Sequence, residues 1–311
     1  MDGGEDVLEV CLAGCGGMLP TPERWLTCLW VEHDGEAVLI DCGEGTQVAL
    51  REAGLHPTRL GTILLTHFHA DHVAGLPGLL LTLGNNGRRE PVTVYGPQGV
   101  RELLSHLLAI APGLAFELRC GELPAGEGAA FSAGGLTVQS LPLDHRTACL
   151  GYALELRRKP VFLPEKAEAL LVPKALYREL HAGNEVTFDG RTVRPEEVLG
   201  AERPPLKVVY CTDTRPAPPI AQFARGADLL ILEAMYADDA MREKAHEKGH
   251  MLAGDAARIA LEAGAMELWT THYSPAFTEP EEAQRRARET FPNAWAGFDG
   301  KRTVIRGAEK R

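Results

Sequence analysis

Residues 62–80, TILLTHFHADHVAGLPGLL, run from a short apolar segment straight into a cluster of histidines. A continuous apolar stretch such as GTILL suits a strand buried on both faces, as in the sheets of α/β proteins. His67, His69 and His72 then follow within six residues, with Asp71 among them, although the chain has only 11 histidines in 311 residues. Imidazole and carboxylate are ligands for zinc and related divalent ions. A tight turn after the strand lets His67 and His69 face one ion while Asp71 and His72 face a neighbour.

The same plan recurs along the chain. LTVQSLPLDH ends in Asp144 and His145, LKVVYCTDT in Asp213, ADLLILEAMY carries Glu233, and MELWTTHYS ends at His272. Loops at one edge of an α/β sheet gather its chemistry, so strands of this kind bring their polar ends to one place. His145, Asp213 and His272 raise the candidate ligands to seven. That set suits two ions about 3.5–4 Å apart sharing a carboxylate and a hydroxide. Between the strands, Asp34-Gly35 signals a hairpin, GTQVALREAG a short helix, GPQGVRELLSHLLAI an amphipathic helix from near Pro97, and DAARIALEAGA another helix. No internal repeat or low-complexity tract interrupts the pattern.

Composition sets the frame. Hydrophobic residues make up 45% and charged residues 24%, as expected of a globular chain with a substantial core. The acidic opening MDGGEDVLEV lacks the basic start and apolar core of a signal peptide, and no stretch approaches the roughly 20 apolar residues of a membrane span. The seven cysteines are scattered and odd in number, which suits reduced thiols in the cytoplasm. Cys11 and Cys15 have no matching second pair and read as core thiols. A net charge of −11 argues against coating nucleic acid through a basic face, although bound divalent ions let an acidic protein hold phosphates. Residues 157–195 differ locally, with eight Lys/Arg against five Asp/Glu in a proline-punctuated segment that reads as an insertion between two core strands, with a hairpin at FDGR.

The pattern H-x-H-x-D-H, followed by later His, Asp and His at strand ends, resembles the metallo-β-lactamase fold superfamily, an αββα sandwich with its metals at one sheet edge. DCGEGTQ (41–47), THFHADHVAGLPGLL (66–80), LGYAL (150–154), CTDTRP (211–216), LILEAMY (230–236) and THYS (271–274) together are similar to the ribonuclease Z family. The resemblance implies an endoribonuclease that removes the 3′ trailer from precursor tRNA by hydroxide attack, with two zinc ions (manganese or iron being alternatives) and a homodimer in which an arm at 157–200 grips the tRNA. It implies that His67, His69 and His145 hold one ion, that Asp71, His72 and His272 hold the other, and that Asp213 bridges. It implies also that His250, paired with Glu233, protonates the leaving oxygen, while Asp71 accepts the proton of the nucleophile. Asp41 is expected to hydrogen-bond a ligand histidine rather than to bind metal. GEGTQ lacks the spacing of a phosphate loop and reads as a turn. The sequence departs from the family at Trp25, at Met251-Leu252 after His250, at Pro275-Ala276 after THYS, and in VPKAL at the arm tip. A phosphodiesterase of the same fold acting on small or other phosphodiesters is the alternative reading. His33, His56, His106, His181 and His246 carry no such placement.

Overall fold

The computed structural model describes residues 6–124 and 126–307, so the first half of the acidic opening lies outside the described residues. These residues form two seven-stranded sheets and one small hairpin. The first sheet runs, in spatial order, Lys301–Arg306, Val7–Gly14, Cys28–His33, Glu36–Ile40, Leu60–Leu64, Val92–Pro97 and Leu118–Leu123. The second runs Ala294–Ala296, Leu268–Thr271, Leu229–Glu233, Arg203–Cys211, Leu150–Arg158, Leu136–Pro142 and Ala130–Ala133.

Strand periodicity explains the layering, because alternate side chains point to opposite faces. In CLWVEH, Leu29 and Val31 join the central apolar cluster, whereas Cys28 and Trp30 join an outer one. In LLILE, Leu229 and Ile231 likewise face the centre and Leu230 and Leu232 face outward. The central cluster mixes both sheets, with Leu8, Val38 and Leu64 from one and Tyr152, Val208 and Trp269 from the other. Helices cover the outer faces. Thr46–Glu52, Leu76–Asn85 and Val100–Leu107 supply Leu50, Leu79, Leu83 and Leu104 to the first sheet, while Pro218–Phe223 and Ala253–Ala263 supply Ile220, Ala257 and Ala260 to the second. The result is the αββα sandwich expected from the sequence.

Two differences from the sequence reading bear on the site. The amphipathic helix begins at Val100, because Val92–Pro97 is a strand and Gly99, with φ 100°, makes the turn. The strands also stop short of the polar residues. They end at Leu64, Pro142, Cys211 and Thr271, so His67, His145, Asp213 and His272 lie one to three residues beyond, and only Glu233 is itself the last residue of a strand.

Parallel pairing explains why most of these ends meet, the exception being Leu136–Pro142, which precedes His145 and pairs antiparallel with both neighbours. Glu36–Ile40, Leu60–Leu64 and Val92–Pro97 pair in parallel, as do Arg203–Cys211, Leu229–Glu233 and Leu268–Thr271. Parallel neighbours place their carboxyl ends at the same edge.

Residues 157–205 form a compact unit of their own. It contains the helices Pro164–Ala169, Tyr177–Ala182 and Pro195–Val198 and the hairpin Val186–Phe188/Arg191–Val193, with Ala167, Val172, Leu180 and Val198 in a small apolar cluster. Among the described residues no helix is long and apolar enough to cross a membrane.

Candidate metal centre

His67, His69, His145 and Asp213 bring ligand atoms within 4.8 Å of one another, and so do Asp71, His72 and His272. In the first group His67 Nε2 lies 2.8 Å from His69 Nδ1, and His145 Nε2 lies 3.5 Å from the same atom. Asp213 Oδ1 is 3.9 Å from His67 Nε2 and 4.0 Å from His145 Nε2. In the second group His72 Nε2 is 3.5 Å from Asp71 Oδ2 and 3.3 Å from Asp213 Oδ2, and His272 Nε2 is 3.6 and 3.2 Å from the same two oxygens. One oxygen of Asp213 thus faces each group.

These residues fit divalent ions. Donors arranged tetrahedrally about zinc at ~2.0–2.1 Å stand roughly 3.3 Å apart, which is the spacing of the second group. His72 Nε2 and both ring nitrogens of His272 are buried without a hydrogen-bond partner among the described residues, a costly arrangement unless something binds them.

Neighbouring groups fix each ring. His72 Nδ1 donates to Asp41 Oδ2 at 2.8 Å, which leaves Nε2 free to ligate. His67 Nδ1 lies 3.0 Å from Thr66 Oγ1, and Thr66 donates in turn to Asp41 from its backbone N–H at 2.8 Å and its hydroxyl at 3.0 Å. Asp41 therefore orients one ligand directly and another through Thr66, as a supporting carboxylate should. His145 Nδ1 donates to the Gly249 carbonyl at 3.0 Å. The loops are also tied to each other, by Leu150 N–H to Thr66 O and Cys42 N–H to His72 O.

Electrostatics sort the histidines. Burial pushes His67, His69 and His145 below the ordinary imidazole range, keeping them neutral and able to donate a lone pair. Burial opposes a charge on His72 as well, but the Asp213 and Asp41 carboxylates outweigh it and raise its pKa well above the usual value. Burial likewise disfavours the charge on Asp71, yet the His272 and His72 rings, with Nε2 atoms 3.6 and 3.5 Å away, hold its carboxyl well below the usual range.

Asp213, His250 and His272 also bring ligand atoms within 4.8 Å of one another, but His250 Nδ1 donates to Glu233 Oε2 at 3.0 Å. Burial lowers the His250 pKa, but the Glu233 charge and hydrogen bond prevail and set it at about 8. Glu233 is fully buried, and its Oε1 accepts from Thr214 N–H at 2.6 Å and its Oε2 from Met251 N–H at 3.3 Å. Met251 departs from the family pattern at little cost to this arrangement, since its side chain is buried in the outer apolar cluster and the contact to Glu233 uses only its backbone.

Every candidate ligand, proton-transfer and supporting residue expected from the sequence lies in this region. Sequence reading missed four supports. Thr66 relays to Asp41. Met18 N–H donates to Asp71 Oδ2 at 2.7 Å. Gly17 and Gly249 leave room for rings, since a Cβ would come within 2.8 Å of the His272 ring and 2.7 Å of His145 Nδ1 respectively. Glycines flanking a histidine-rich edge were the available signal. The seven cysteines are free thiols, and none joins a candidate metal group among the described residues.

Two sheets with helices outside them, and a double His/Asp cluster at their carboxyl edge, define a divalent-metal hydrolase of the metallo-β-lactamase fold. Family models described as "Metallo-beta-lactamase superfamily" and "Beta-lactamase superfamily domain" match residues 27–121 and 190–273. The fold is shared with the metallo-beta-lactamase fold protein YhfI from Bacillus subtilis (TM-score 0.71, 20% identity, 97% of this chain and 100% of that one) and with human tRNase Z, short form (TM-score 0.69, 24% identity, the same coverage). Among curated proteins the chain is 43% identical to the Ribonuclease Z of Agathobacter rectalis, over 95% of this chain and 97% of that protein. It is 44% identical to the Ribonuclease Z of Lachnoclostridium phytofermentans, over 96% and 98%. The chain belongs to the ribonuclease Z family.

Proposed function

We propose that this protein is the endoribonuclease that removes 3′ trailers from precursor tRNA, working with two zinc ions. The observation that carries the reading is the coincidence, in a ribonuclease Z chain matched from end to end, of two complete ligand groups with a His250–Glu233 pair beside them. His67, His69 and His145 would hold one ion, Asp71, His72 and His272 the other, and Asp213 would bridge. When bound, such ions lower the pKa of water to about 7 and neutralise charge growing on a phosphate.

The chain's own groups do the rest. Asp71, held by the Met18 N–H, takes the proton of the attacking water. The leaving ribose oxygen needs a proton, and His250 supplies it from Nε2. Glu233 accepts from Nδ1, fixes the tautomer, and keeps the ring protonated up to about pH 8. The unit at 157–205, whose positive excess lies within residues 157–195, supplies remote binding of tRNA, and the active form is a cytoplasmic homodimer.

The test is incubation of the purified, zinc-loaded protein with a precursor tRNA and with bis-p-nitrophenyl phosphate. Cleavage at the 3′ end of the tRNA is expected. Hydrolysis of the small ester with the tRNA left intact would refute the tRNA assignment and favour an enzyme for small phosphodiesters.

A further inference from the structure

Arg146 follows the candidate ligand His145 directly and is exposed. Its Cγ lies 3.6 Å from the position a Cβ would take on Gly249, the residue whose carbonyl holds His145 and whose neighbour is His250. The side chain thus sits at the rim between a ligand histidine and the proton donor. Its charge reaches both His69 and His250.

Other arginines around this edge are committed. Arg215 pairs with Asp144 at 3.0 Å and donates to the His246 carbonyl at 2.7 Å, and Arg242 pairs with Asp255 at 3.0 Å. Among the described residues Arg146 has no carboxylate partner. A guanidinium beside histidines that bind cations is self-repulsive by itself. An anion arriving from solvent removes that repulsion, and the planar fork of arginine suits two oxygens of a phosphate.

The geometry points to Arg146 as a substrate-binding residue that clamps a phosphodiester of the RNA next to the one being cut. The neighbouring phosphate fits better than the reacting one, because Arg146 is exposed at the rim whereas the two ligand groups are largely buried. This inference rests on the tRNA-cleaving function proposed above.

The experiment measures kcat/KM for precursor tRNA against salt concentration for the wild type, Arg146→Gln and Arg146→Lys, with bis-p-nitrophenyl phosphate as a substrate lacking any neighbouring phosphate. Loss of one phosphate contact makes the log–log salt slope shallower by about 0.7–0.9. Arg146→Gln is expected to show that change, a roughly tenfold fall in kcat/KM on RNA at low salt, wild-type metal content, and hydrolysis of the small ester within about twofold of wild type. Arg146→Lys should keep the slope, since it keeps the charge, while losing part of the rate with the fork. A wild type that cleaves tRNA together with an Arg146→Gln slope equal to its own overturns the contact. So does an equal loss on both substrates, which would place Arg146 at the reacting phosphate or in the framework. A wild type inert on precursor tRNA overturns the proposed function instead, and the RNA contact falls with it.

Discussion

Replacing Asp41 by Asn changes one atom in a fully buried group and separates ligand orientation from folding. Asp41 has φ 65°, a left-handed conformation that Asn tolerates nearly as well as any side chain. The amide oxygen of Asn is expected to stay where Oδ1 is, because Thr66 N–H at 2.8 Å and Thr66 Oγ1 at 3.0 Å both need an acceptor there. The NH2 group then faces His72 Nδ1 across the 2.8 Å contact now made by Oδ2. Two donors cannot share that contact, so Nδ1 gives up its hydrogen and the ring proton moves to Nε2, the atom that faces Asp71 and Asp213 at 3.5 and 3.3 Å. A protonated Nε2 cannot ligate. Changes to groups that orient metal-binding histidines cost about 10–100-fold in affinity. That is ~1.4–2.7 kcal/mol, and a tautomer switch belongs at the upper end. The loss should fall on one ion only, because His67 keeps its support through Thr66. Competition with a chelator, followed by elemental analysis, should show one ion held as in the wild type and one weakened about 100-fold, with the melting temperature of the metal-free protein nearly unchanged. Two ions bound as tightly in Asp41→Asn as in the wild type would falsify the orienting role.

Asp213→Ala removes the oxygen that faces each ligand group, so elemental analysis should find both ions lost, against about two per wild-type chain; one tight ion retained would contradict a bridging role. His250→Ala should keep its metal, yet slow tRNA cleavage by roughly 10²–10⁴-fold while affecting p-nitrophenolate release far less, because that leaving group departs without a proton. Metal loss, or equal slowing of both substrates, would exclude proton donation. The His250 pKa, raised to about 8, gives a protonated ring below that pH, so tRNA cleavage limited by proton donation should fall as pH rises through about 8. Glu233→Gln should move that descending limb to lower pH in a pH–rate profile. Replacing 157–205 by a short turn between Leu156 and Leu206, which lie on neighbouring strands, should abolish tRNA cleavage and leave small-ester hydrolysis largely intact. Loss of both activities together would show the unit to be structural.

Much of the candidate site was legible in local sequence. HFHADH needs no tertiary context to suggest metal, since four ligand-type side chains in six residues after an apolar strand have little structural use. Apolar runs broken by His, Asp or Glu also marked the strands and the edge at which they converge. The same local logic misplaced the helix start by three residues, because GPQG reads equally well as a helix opening and as the end of the strand Val92–Pro97.

Tertiary structure decided which atoms face which. Asp213, at φ 55°, and His272, at φ 57°, turn through the left-handed region immediately after their strands, and Asp41 does so at φ 65°. Such turns cost conformational energy and persist only where the surroundings hold them, so nothing in the local sequence marks them. They aim one Asp213 oxygen at each ligand group and put Asp41 against His72 directly and behind His67 through Thr66. Spacing along the chain tells which residue types are available at a strand end. The direction of each side chain depends on segments up to some 200 residues apart, such as those of Asp71 and His272, brought together where the two sheets pack, and only the folded backbone specifies it.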